Sequence, residues 1–183
     1  MGQPRAPLAV KLIVSAFASG DELLAEARQA LISEWGALDL ESERLPFAHT
    51  TYYEAEFGTG LVRRIWSFEP LIDPGTMAAI KLRTNQLEER WSEGGKRRVN
   101  LDPGYVSMAK LVLATTKNHG HRIYLDSGIY AEVTLSYRDG VYRPWSWTYP
   151  DYATPGYCAL FGEIRQRYAA QLRQKPRKHT SSE

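Results

Sequence analysis

Gly94-Gly95-Lys96-Arg97-Arg98-Val99-Asn100-Leu101-Asp102-Pro103-Gly104-Tyr105 is the stretch on which the fold turns. Gly94-Gly95 ends whatever precedes it, and residues 97–101 begin an extended segment. Asp102-Pro103-Gly104 has the composition of a tight turn. What the chain becomes depends on the patterns that meet here.

Upstream, residues 10–18 form an apolar run rich in β-branched side chains, the mark of a buried strand. Ser19-Gly20-Asp21 then supplies a helix start. Leu23, Leu24, Ala27, Leu31 and Trp35 fall on one helical face, and Gly36 closes it. Residues 39–47 read as a second extended piece ended by Pro46. His49-Thr50-Thr51-Tyr52-Tyr53 leads to Gly58-Thr59-Gly60, and residues 61–71 read as a third strand. Asp73-Pro74-Gly75 opens a second helix, with Asp73 as cap and Pro74 at its first position. Met77, Ile80, Thr84, Leu87 and Trp91 form its buried stripe, which leaves Lys81, Arg83, Glu88, Glu89 and Arg90 as a solvated face. The order strand, helix, strand, strand, helix, strand is the split βαβ arrangement.

Downstream, residues 107–116 fit either a short helix or a strand. Asp126-Ser127-Gly128 between residues 122–125 and 129–137 is a hairpin signal. Alternation turns Ile129, Ala131, Val133, Leu135 and Tyr137 one way and Tyr130, Glu132, Thr134 and Ser136 the other. Arg138-Asp139-Gly140 turns the chain into residues 141–147. Residues 157–172 form a last amphipathic helix through Leu160, Phe161, Ile164, Tyr168 and Leu172. The expected fold is α+β: a ferredoxin-like βαββαβ front half over residues 10–106, extended by an antiparallel β-meander and a C-terminal helix over 107–172. Residues 1–9 read as a flexible lead and 173–183 as a basic, disordered tail.

With 43% apolar and 24% charged residues among 183, the chain has an ordinary globular composition. A net charge of +2 favours no class of partner, so any basic feature must be local. The single Cys158 excludes an internal disulfide framework and suits a reducing compartment. No apolar run approaches membrane-spanning length, and the first residues carry no signal-peptide core. A cytoplasmic protein with no membrane partner is the expectation.

The local basic feature lies between Gly94 and Arg122. Lys96, Arg97, Arg98, Lys110, Lys117 and Arg122 stand there against one acid, Asp102. Guanidinium and ammonium groups around glycine-bounded turns suit phosphate oxygens. Asn100 adds a hydrogen-bonding amide, and Tyr105, Tyr124 and Tyr130 offer faces for a stacked base. The alternative is that these side chains simply alternate outward into water. His121 with Glu132 or Asp102 makes a possible acid-base pair, and the alternative is a histidine satisfying a turn. His119-x-His121 alone is too little for a metal site, which needs three or four converging ligands, so no metal is expected. Cys158 reads as a small core residue, and no Gly-x-Ser-x-Gly elbow is present. Trp145, Trp147, Tyr149, Tyr152 and Tyr157 suit either a binding wall or core packing.

Several strings resemble the uncharacterised prokaryotic family catalogued as domain of unknown function 4416. They are residues 97–105 above, Lys110-Leu111-Val112-Leu113-Ala114-Thr115-Thr116-Lys117, His121-Arg122-Ile123-Tyr124-Leu125, Gly128-Ile129-Tyr130-Ala131-Glu132-Val133-Thr134-Leu135 and Trp147-Thr148-Tyr149-Pro150-Asp151-Tyr152. The resemblance covers nearly the whole chain and implies no catalytic residues or cofactor. Some members of that family are labelled GTP-binding. This sequence has no Gly-x-x-x-x-Gly-Lys-Ser/Thr string, and His119 stands where a guanine-reading carboxylate would.

The functional expectation is a module binding a phosphate-bearing ligand, a nucleotide or RNA, through Arg97, Arg98, Asn100, Tyr105, Lys110, Lys117, Arg122 and Tyr130. An enzyme acting on such a ligand through His121 with Glu132 or Asp102 is the first alternative. A non-catalytic scaffold is the second. The sequence names no cofactor and no oligomeric state.

Overall fold

The computed structural model describes residues 2–45, 57 and 60–174. Its elements in chain order are β1 (Val10–Ala18), α1 (Asp21–Trp35), β2 (Leu38–Glu41), β3 (Val62–Ile72), a 3-10 turn at Pro74–Thr76, α2 (Met77–Arg90), β4 (Val99–Val106), β5 (Lys110–Thr115), β6 (Ile123–Asp126), β7 (Ile129–Arg138), β8 (Val141–Pro144) and α3 (Pro155–Gln174). The strands form one antiparallel sheet in the order β2-β3-β1-β4-β5-β7-β6, with β8 also on β7. Its first four strands follow the split βαβ order, so the ferredoxin-like front half is present and the meander extends the same sheet.

The period-2 alternation of β1 decides which layer packs where. Leu12, Val14, Ala16 and Ala18 turn to one face and meet Leu24, Ala27 and Leu31 of α1 and Met77, Ile80 and Leu87 of α2. Ile13 turns to the other face, where α3 packs through Tyr157, Phe161 and Ile164. The sheet is therefore covered on both sides: α1 and α2 on one, α3 on the other. Asp73 caps the 3-10 turn by accepting from the Gly75 amide at 2.8 Å, as its position before Pro74 implies.

Five local expectations are corrected. Asp102-Pro103-Gly104 is not a turn but the middle of β4. Gly104 is needed there because a Cβ would stand 2.3 Å from the Val112 carbonyl oxygen of β5. Lys81 and Glu88 are not on a solvated face, being only 6% and 3% exposed. Residues 39–47 do not form one strand: β2 ends at Glu41, a single bridge joins Leu45 to Arg63, and residues 46–47 lie outside the described residues. The strand expected at 141–147 stops at Pro144.

The fifth correction concerns β7, whose alternation does not run through. Leu111 pairs with Leu135 but Val112 with Val133, so Thr134 is an extra residue, a β-bulge. One extra residue exchanges the faces. Ile129 accordingly joins the α1–α2 core while Leu135 joins the α3 core. Glu132 and Thr134 are buried, at 2% and 0% exposed.

Both hairpins are two-residue turns, with Ser127-Gly128 at φ 49° and 76° and Asp139-Gly140 at 51° and 84°. Such paired positive φ values match the twist of the flanking strands. Residues 107–116, open between helix and strand, contain β5. The segments at 49–53 and 58–59 and the tail beyond 174 lie outside the described residues.

Candidate functional site

The sheet parts between β4 and β5. These strands pair only from Gly104↔Leu113 to Val106↔Leu111, although both continue beyond Gly104 and Leu113. Ladder bonds on this edge run from the Ser107 amide to the Lys110 carbonyl, and in the same register from Tyr105 to Val112. The next would run from residue 103 to the Ala114 carbonyl. Pro103 has no N–H to give, and the ladder stops there. The edge of β4 beyond it is closed by side chains of α2. Glu88 Oε1 accepts the Leu101 amide at 2.6 Å, and Lys81 Nζ donates to the Leu101 carbonyl at 2.9 Å.

Where the strands separate lies a cleft of about 820 Å³. One side is α2 with Lys81, Asn85, Glu88 and Glu89; the walls include Asn100 and Asp102 of β4, Leu113 to Lys117 of β5 and its following turn, and Glu132 of β7. Tyr149, Pro150, Asp151, Tyr152 and Arg63 complete it.

The residues around the cleft form connected polar networks. Asp102 Oδ1 lies 3.3 Å from Lys81 Nζ, and its Oδ2 accepts from Asn100 Nδ2 at 2.7 Å. Arg97 Nη1 reaches Asn100 Oδ1 and Glu88 Oε2, each at 3.2 Å. Burial pushes the Glu88 carboxyl above its ordinary value, with Lys81 and the Leu101 amide opposing. On the far wall Arg122 ties three segments together. Its Nε donates to Glu132 Oε2, its Nη1 to the Lys117 carbonyl and its Nη2 to the Tyr149 hydroxyl, all at 2.9 Å. Burial also raises the Tyr149 phenol, with Arg122 opposing. Arg63 is 7% exposed, pairs with Asp151 at 2.8 Å, and lies 5.6 Å from the Phe17 ring and 5.9 Å from that of Tyr152.

The bulge on β7 explains how residues 145–152 come to lie at the cleft. β6 and β8 share one edge of β7 and leave the carbonyls of Val133 and Thr134 between them. Trp147 Nε1 donates to the first at 3.1 Å and Thr148 Oγ1 to the second at 2.6 Å. The chain is pinned there immediately before Tyr149.

Of the residues singled out in the sequence, Arg97, Asn100, Asp102, Lys117 and Glu132 line this cleft, as do Tyr149 and Tyr152 of the aromatic group. Arg122 stands behind its wall. His121 does not line it: Nε2 lies 3.0 Å from Glu132 Oε2, and the ring stacks on Trp147 at 5.3 Å and on His119 at 6.0 Å. Arg98 pairs with Glu93 at 3.3 Å and Lys110 begins β5 opposite Ser136, both away from the cleft. Tyr105 packs half-buried against the α1–α2 core, and Tyr130 meets Tyr124 edge-on at 5.4 Å. Burial raises the Cys158 thiol, consistent with a packing role. Among the described residues no three His, Cys, Asp or Glu side chains gather as a metal-holding group. Likewise, no helix among the described residues is long and apolar enough to cross a membrane.

The sequence reading missed Arg63, Lys81, Glu88 and Asp151 as members of the site. For two of them a signal existed. Lys81 and Glu88 follow the same three- and four-residue spacing as Met77, Thr84 and Trp91, so they belong to the buried stripe of α2.

The chain belongs to a family known as a domain of unknown function (DUF4416), whose model matches residues 8–168. No curated protein and no solved structure matches it.

Proposed function

We propose that this protein binds a small phosphate-bearing ligand, of nucleotide size or less, in the cleft between β4 and β5. It does so in the cytoplasm, the compartment that a single cysteine suits. One observation carries the reading: the sheet is held open around buried charge. Lys81, Glu88, Arg63, Asp151 and Glu132 are each at most 7% exposed and border the same cleft. Burying an ion costs several kcal/mol even after relaxation, on the order of what one domain has to spare, and pairing offsets this only where the geometry is good. Continued β4–β5 pairing would serve stability better, so the opening is best explained by something that enters it. Arg97, with a side chain 39% exposed, and the exposed Lys117 are the groups for the phosphate.

A small ligand fits better than RNA, because the lining mixes acids with its cations instead of presenting a basic track. An enzymatic role is the second reading, and Asp102 favours it. This carboxylate borders the cleft with a side chain 39% exposed and is oriented by Lys81 and Asn100. His121 is a weaker candidate, since its Nε2 faces Glu132.

Thermal-shift screening against nucleotides and sugar phosphates, followed by calorimetric titration, tests the reading. A stabilising ligand whose affinity falls about tenfold or more in Arg97→Ala and Lys117→Ala is expected, as for loss of one charge-assisted bond. Ligands that bind both variants as well as the parent place the site elsewhere.

A further inference from the structure

The polar lining of the cleft is not that of a site for an anion alone. It carries four cations, Arg63, Lys81, Arg97 and Lys117, and five carboxylates, of Glu88, Glu89, Asp102, Glu132 and Asp151. Asp102 has the groups to meet a ligand. Its side chain is 39% exposed, and each oxygen holds one protein donor, Lys81 at 3.3 Å and Asn100 at 2.7 Å. A carboxylate has about four lone-pair sites, so roughly two remain. The Ala114 carbonyl, on the other wall, lacks its ladder donor because the residue opposite is Pro103. Two acceptors therefore border the gap between the parted strands, one from each strand. A ligand presenting only phosphate would leave both without a partner and set its charge near a carboxylate.

We infer that the ligand of this cleft is bipolar: an anionic group taken by Arg97 and Lys117, and an amine- or amide-type hydrogen-bond donor read by Asp102. Asp102 is then the residue that determines specificity. The inference rests on the cleft being the binding site, and it adds what the second half of the ligand must be.

The test is calorimetric titration of the full chain with a matched pair, phosphoethanolamine and ethyl phosphate, which differ in the terminal ammonium. Phosphoethanolamine is expected to bind about tenfold or more tightly than ethyl phosphate, the scale of one charge-assisted hydrogen bond. Asp102→Asn, close to isosteric, is expected to abolish that preference while keeping a cooperative thermal transition. Lys117→Ala should weaken both ligands by a similar factor and leave their ratio alone. Equal affinities in the parent, or a preference that persists in Asp102→Asn, overturn the inference while leaving a phosphate site intact. Binding of neither compound contradicts the phosphate reading and this inference with it.

Discussion

Two lysine–aspartate clusters stand on the same sheet, and only one opens on a cavity. In the first, Lys11 of β1 donates to Asp39 and, at 2.9 Å, to the Phe68 carbonyl, while Ser67 also donates to Asp39. In the second, Lys81 of α2 donates to the Leu101 carbonyl at 2.9 Å and lies 3.3 Å from Asp102. The chemistry is alike: an ammonium bridging a strand carbonyl and a carboxylate. Access differs, for the side chains of Lys11 and Asp39 are 0% and 17% exposed against 7% and 39% for Lys81 and Asp102. The first cluster lies at two bulges, between residues 38 and 40 of β2 and between 11 and 13 of β1, but there β2 stays paired with β3 and β3 with β1 on both sides. The second sits where a ladder has stopped. Buried charge by itself thus says little about function; buried charge beside an opened strand pair says more.

The largest expected effect breaks the closed member of the comparison. Lys11→Ala leaves Asp39 without its cation and should cost about 3 kcal/mol in denaturant unfolding, the low end for breaking a buried pair. It should leave ligand affinity unchanged. If unfolding shifts by less than about 1 kcal/mol, the cluster is not the structural tie described here.

Next comes the seam itself. Gly104→Ala forces a Cβ against the Val112 carbonyl, and overpacking of this kind costs about 1–3 kcal/mol. Hydrogen exchange at Val112 and Ala114 should quicken. A neutral substitution would mean that the strands are not held as closely as described.

Pro103→Val acts in the opposite sense. It restores the N–H that the Ala114 carbonyl lacks and should gain on the order of 1 kcal/mol, one net hydrogen bond. Ligand affinity should fall as the strands draw together. Unchanged stability and unchanged affinity would show that Pro103 does not keep the cleft open.

The smallest effect is a pH dependence. Burial raises the Glu88 carboxyl in the folded chain above its ordinary 4.5. Its contribution is fully present below the unfolded value and is lost as pH rises through the folded one. Stability of the parent relative to Glu88→Gln should therefore decline as pH increases from about 4.5 upward, by at most about 1.4 kcal/mol per unit. A parallel pair of curves would contradict the raised value.

Much of the fold can be read from periodicity. The stripes of α1 and α2 and the two Gly-containing hairpins depend on local patterns, and local physics forms them. The cleft is different, because it arises from exceptions to those patterns. Asp102-Pro103-Gly104 has turn chemistry, yet Pro103 aims its missing donor at the parted seam, one of the few strand positions where proline is harmless. The Thr134 bulge shows only in pairing with β5, so strict alternation set Leu135 on the face of Ile129 when it lies on the other. Basic residues near one another in sequence, such as Arg97 and Arg98, part company just before β4 begins, Arg97 reaching Glu88 and Arg98 reaching Glu93. Arg63 and Asp151 meet across 88 positions, a distance at which no local signal operates.

The parted seam is tested most directly by amide and side-chain chemical-shift mapping of the full chain titrated with a nucleoside monophosphate. The predicted result is saturable shifts concentrated at Leu101, Asp102, Ala114 to Lys117 and Tyr149, with the Lys11–Asp39 cluster unmoved. Shifts centred on α3 or on the β6 edge, or no saturable shifts at all, would contradict the claim that the parted β4–β5 seam is a binding site.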